Sequence, residues 1–126
     1  MRIRTPDVTG LSLVSASGRV AIGLGMLVAP ERSLRVLGFS EVSSATAAVA
    51  RIAGVRDLVL GAVTLAAIDD PDRLRTATLG NAAADAGDSA AFAIALSAGE
   101  RSAGARGLAA ALPATLGGLW MAWRLS

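Results

Sequence analysis

Arg19, Arg51, Arg56, Asp57, Asp85 and Asp88 are the residues of this chain best placed to do chemistry, because each stands inside an otherwise apolar stretch. At bilayer depth an unpaired charge costs roughly 2.5 to 3.5 kcal/mol on insertion scales, so such residues need partners within the protein. Three are acidic and three basic, and their formal charges cancel. The implied arrangement is an internal ionic cluster, serving as a structural staple, a proton path or a head-group site. Asn81, Asp85 and Asp88 are three and four residues apart, so they share one helix face. Their oxygens suit a hard cation, but arginines at the same depth compete for the carboxylates, and no metal is expected.

The elements that must position these groups follow from composition. Of the 126 residues, 53% are hydrophobic and 17% charged, against roughly 25% charged in an ordinary soluble domain. Aromatic residues make up only 3%, and mean hydropathy is +0.56, so the apolar mass is Ala, Leu, Val and Gly. Four apolar stretches, at about 10–29, 45–68, 74–96 and 108–125, are long enough to cross a hydrocarbon layer about 30 Å thick. The expectation is an all-α fold, a four-transmembrane-helix bundle with short loops, forming a single integral membrane domain over residues 1–126. The Arg-flanked first stretch is read as a retained helix rather than a cleaved leader, because Arg19 interrupts its apolar run.

Between the stretches, residues 31–44 fit either a short interfacial helix or a loop. Residues 69–73 form a tight polar turn that pairs the second and third helices, and residues 99–107 form a flexible link. Antiparallel packing then puts Arg19, Arg56 and Asp85 near one depth, with Arg56 or Asp57 meeting the third helix and Arg51 reaching toward water. Helix packing is expected at Gly54 and Gly61, along the stripe Ala83, Gly87, Ala91 and Ala95, and at Gly117 and Gly118. Pro113 should bend the last helix, and Trp120, Trp123 and Arg124 should anchor its end at an interface. Five arginines outside the stretches or at their very ends on one side (Arg2, Arg4, Arg73, Arg75, Arg124) oppose four on the other (Arg32, Arg35, Arg101, Arg106), which places both termini in the cytoplasm.

The segment RIAGVRDLVLG at 51–61, followed by NAAADAGD at 81–88 and preceded by GRVAIGLGMLVAP at 18–30, resembles an uncharacterised family of small bacterial four-helix integral membrane proteins. The likeness covers nearly the whole chain. It implies a polar core at Arg51, Gly54, Arg56, Asp57, Gly61, Asp85 and Asp88, and a multi-pass location in the bacterial inner membrane. It implies no activity.

Several functions are disfavoured by composition. His and Cys are absent, so the commonest metal ligand, thiolate chemistry and the usual base for an activated serine are missing. No glycine-rich phosphate loop is present and no cofactor is expected. All twelve basic residues are arginines, the formal net charge is only +2, and no basic run or stacking platform points to nucleic acid. No catalytic residue is assigned, although Asp85 or Asp88 could act as an acid or base. By elimination, the chain reads as a non-catalytic accessory or stabilising subunit of a larger membrane complex such as a lipid or solute transporter. The expected partners are the lipid bilayer and either another protein or further copies of the chain. The alternative is a lipid- or small-molecule-binding membrane protein, or a proton- or ion-conducting oligomer that uses the Arg/Asp cluster.

Overall fold

The computed structural model describes residues 7–126. Five helices follow one another: α1 (Val8–Val28), α2 (Pro30–Val36), α3 (Ser44–Ala66), α4 (Pro71–Ser97) and α5 (Arg101–Arg124). Their starts are written in the sequence. Asp7 accepts from the backbone N–H groups of Thr9 and Gly10, Ser43 from that of Thr46, and Asp70 from those of Asp72 and Arg73. Each thereby satisfies donors that a first helical turn leaves without partners. Pro30 and Pro71 stand at the first turns of α2 and α4, where a missing N–H does no harm.

The helices associate as two antiparallel pairs. In α1 and α3 the order of approach runs from Gly23 against Gly54 to Ala16 and Val20 against Gly61. A Cβ on Gly54 would lie 2.7 Å from the Gly23 carbonyl oxygen, so only glycine permits this spacing. In α4 and α5 the ladder runs from Leu96 against Gly104, through Phe92 against Gly107, to Ala82 against Gly118. The helix α2 joins the first pair and buries Leu34, and Arg106 of α5 donates to the Val36 carbonyl at its end. Gly38 follows with φ of 97°, facing Ser102 closely enough that a side chain would be both strained and obstructed.

Burial is achieved by small residues. Ala16, Ala47, Ala50, Ala82, Ala103 and Ala122 are among the core positions, and Leu74 is the largest fully buried side chain. Bulkier groups such as Val14, Ile22, Ile52, Val59, Ile94 and Leu116 face outward.

Several expectations are corrected. The fold is all-α, but it has five helices, and among the described residues only α1 is long and apolar enough to cross a membrane by length and composition. The four-transmembrane bundle is therefore overturned, and with it the bilayer as partner and the multi-pass inner-membrane location. The reason lies in the polar content of the other helices. Arg51, Arg56 and Asp57 dilute α3, while α4 carries Asp72, Arg73, Arg75, Asp85 and Asp88, and α5 carries Arg101, Arg106 and Arg124. The topology count also leaned on Arg2 and Arg4, which lie outside the described residues. Residues 99–107 are not a flexible link, since α5 begins at Arg101 and Gly104 and Gly107 are contact points for α4. The short polar turn before α4 is present, yet α3 packs more broadly on α1 than on α4. Pro113 lies inside α5 without interrupting it.

Candidate functional site

Polar positions on three helices converge between the two pairs. Along α1, Ser12, Ser15 and Arg19 fall on one face; along α3, Asp57 and Thr64 are two turns apart; along α4, Thr78, Asn81, Asp85 and Asp88 follow helical spacing. Stacked against one another, these stripes form a charged layer and, beside it, a hydroxyl and amide layer.

In the charged layer Arg19 is the hub. Its Nη2 donates to both oxygens of Asp85, at 2.8 and 2.6 Å, and its Nη1 donates to Asp57 Oδ1 at 3.1 Å. The side chains of Arg19, Asp57 and Asp85 are all about nine-tenths buried. Farther out, Arg56 engages Asp88 in a fork of two 2.8 Å bonds and also donates to Asp57. The hydrogen bonds to Asp88 raise the Arg56 pKa above its ordinary value; partial burial opposes this, and the negative charges of Asp88 and Asp57 add to the rise. Asp57 thus bridges both arginines and joins α1 to α3, while each arginine in turn reaches a carboxylate of α4. Arg51 is exposed and stands apart from these pairs, so two guanidinium groups meet three carboxylates, a formal balance of −1.

The adjoining layer borders a partly open cavity of about 110 Å³ lined by Ser12, Ser15, Thr64, Asn81, Asp85 and Gly117, among others. Thr64 donates its hydroxyl proton to the Leu60 carbonyl at 2.8 Å and so must accept from Asn81 Nδ2 at 2.9 Å. This fixes the orientation of the Asn81 amide. Its other end, Oδ1, is the one buried side-chain polar atom among the described residues without a hydrogen-bond partner. Such an orphan costs about 1–3 kcal/mol of desolvation, which a bound donor would recover. A larger and more open groove of about 620 Å³ between α3 and α4 is lined by Leu60, Val63 and Ala77, with Asp72 and Arg73 at its polar part. Greater size does not make it the better candidate, because it contains none of the converging charged groups.

The sequence-derived positions are distributed unevenly around this site. Arg19, Arg56, Asp57, Asp85 and Asp88 join the ion network, and Asn81 lines the cavity. Gly54, Gly61 and Gly118 lie at close helix contacts, whereas Ala83, Gly87 and Ala91 are exposed, Ala95 is half-buried, and a Cβ on Gly87 or Gly117 would meet nothing. Burying Asn81 and Asp85 turns the small-residue stripe of α4 outward. Arg124 lies 5.8 Å from the Trp120 ring centroid, a cation–π distance, and Trp123 is exposed; their reading as an interfacial anchor depended on the four spans corrected above. Ser12, Ser15, Thr64 and Thr78 were not singled out from sequence, although their helical spacing from Arg19, Asp57 and Asn81 was a usable signal. Among the described residues no three acidic, His or Cys groups gather as a metal site.

The fold and site define a class: a small all-α protein built of paired helices around a buried arginine–carboxylate network. A family model described as a domain of unknown function, DUF4267, matches residues 16–125, and the chain belongs to that family. The expected membership in a four-helix membrane family is replaced by this assignment and by the five-helix architecture. No curated protein and no solved structure matches the chain significantly.

Proposed function

We propose that the protein binds a small polar ligand in the cavity beside the Arg19, Asp57 and Asp85 network. The observation that carries this reading is Asn81 Oδ1, buried without a partner in a residue that lines the cavity. Buried polar atoms are ordinarily satisfied, and an exception in a residue beside a cavity offers an acceptor to a ligand that reaches it. The surrounding ion pairs fix the walls: Arg19 ties α1 to both α3 and α4 and holds Asp85 by both of its oxygens. An accessory-subunit role rested on the absence of other chemistry, whereas a partly open cavity with an unpartnered acceptor in a residue of its wall favours binding. Among the described residues no cavity hydroxyl is hydrogen-bonded to a carboxylate, which favours binding over catalysis.

The test is saturable binding to the purified full chain, measured by calorimetry across small alcohols, amides, amines and inorganic ions. Gly117→Leu fills the cavity margin where a Cβ meets nothing, so the variant should fold and lose binding. Equal binding by parent and Gly117→Leu, or no saturable binding across the series, refutes the reading.

A further inference from the structure

The geometry points to a monovalent cation, of the size of potassium or ammonium, as the class of ligand this cavity takes; the inference rests on the binding reading above. The first support is the hydrogen-bond polarity of the lining. Thr64 and Thr78 spend their hydroxyl protons on the carbonyls of Leu60 and Leu74, at 2.8 and 2.7 Å, leaving oxygen lone pairs as what they can offer. Ser12 directs its hydroxyl to Met121 Sδ at 3.9 Å. Asn81 offers Oδ1, and Asp85 offers the lone pairs that Arg19 does not use. The polar atoms of the lining are therefore mostly acceptors, with the Ser15 hydroxyl and the second N–H of Asn81 as remaining donors, a set better suited to a cation or an N–H donor than to an anion.

The second support is charge. Without Arg51, the network adjoining the cavity carries one carboxylate more than it has guanidinium groups. A single positive charge at the Asn81 and Asp85 wall would restore neutrality, and burial makes that compensation valuable. A divalent ion fits poorly. Hard divalent cations gather several carboxylates or retain ordered water, and here only Asp85 lines the cavity, already gripped on both oxygens by Arg19. The small volume favours small cations over bulky organic ones.

The experiment compares thermal unfolding of the full chain in chloride salts of potassium, sodium, ammonium, methylammonium and N-methylglucamine at constant ionic strength. At least one small cation should raise the unfolding temperature saturably over N-methylglucamine, and the rank among the arms separates an inorganic ion from a protonated amine. Asn81→Ala should weaken the apparent affinity about tenfold or more, and Arg51→Ala should leave it unchanged. Ser15→Ala, at an exposed position of the lining, supplies a second reading if Asn81→Ala does not fold. Identical unfolding temperatures in all salts, or a shift that survives in Asn81→Ala, Ser15→Ala and Gly117→Leu, would overturn the cation. If calorimetry then shows a neutral polar compound bound in a Gly117-sensitive way, the cation alone fails; if nothing binds, the binding reading fails with it.

Discussion

Replacing Asp85 by Ala removes the carboxylate that takes both Nη2 hydrogen bonds of Arg19, at 2.8 and 2.6 Å, from a side chain only 10% exposed. Breaking a buried pair from one side costs about 3–5 kcal/mol, because the remaining charge is left uncompensated. Here Arg19 keeps Asp57 at 3.1 Å through Nη1, so the loss belongs at the lower end, about 3 kcal/mol. For a chain of this length that corresponds to roughly 10–15 °C in Tm. Urea denaturation followed by circular dichroism measures it, with Arg51→Ala as the exposed control expected within about 0.5 kcal/mol of the parent. Arg19→Met combined with Asp85→Leu should be more stable than Asp85→Ala alone, since the double change strands neither group. An Asp85→Ala protein within about 0.5 kcal/mol of the parent would refute the argument that this layer holds the helix pairs together. So would a double variant no more stable than Asp85→Ala.

Gly54→Ala should destabilise by about 1–3 kcal/mol, as its Cβ would come within 2.7 Å of the Gly23 carbonyl oxygen; Gly87→Ala, with nothing nearby, should be neutral or stabilising in the same denaturation assay. Gly107→Ala would press on the Phe92 ring and should lower Tm, with Phe92→Leu restoring part of the loss. Arg56 has a folded-state pKa raised above its already high ordinary value, so its contribution is complete below that ordinary value and is lost only as pH rises through the higher folded value. The urea midpoint should therefore show no inflection attributable to Arg56 between about pH 6 and pH 10, and one removed by Arg56→Gln would contradict this.

Much of the helical layout could be read from the chain because it depends on local chemistry. Asp70 followed by Pro71 announces the start of α4, and the spacing of Asn81, Asp85 and Asp88 sets their common face. Choice of partner was less legible. Depth alone suggested Asp85 opposite Arg56, whereas the structure gives Asp85 to Arg19 and Asp88 to Arg56, a decision made by the rotation of each helix about its axis. The charge balance likewise depended on Arg51 turning outward, which no count of acidic and basic residues reveals. Length and apolar composition overstated the membrane character of α3, α4 and α5, because the same Ala and Gly residues that raise hydropathy also allow helices to bury one another. Gly104 and Gly107 illustrate the point, since glycine in a supposed link in fact marks a close contact.

The division into two glycine-contacted pairs joined through an ionic layer carries a kinetic consequence. The α4 and α5 hairpin closes over a three-residue connection and can form early, because little chain entropy opposes its contacts. The Arg19 links to Asp57 and Asp85 span 38 and 66 residues, and stripping water from those charges is favourable only once all three helices have arrived. Ionic closure therefore comes late. Substitutions at Asp85 should accelerate unfolding while leaving the folding rate nearly unchanged, whereas Gly107→Ala, which disturbs the hairpin, should slow folding itself.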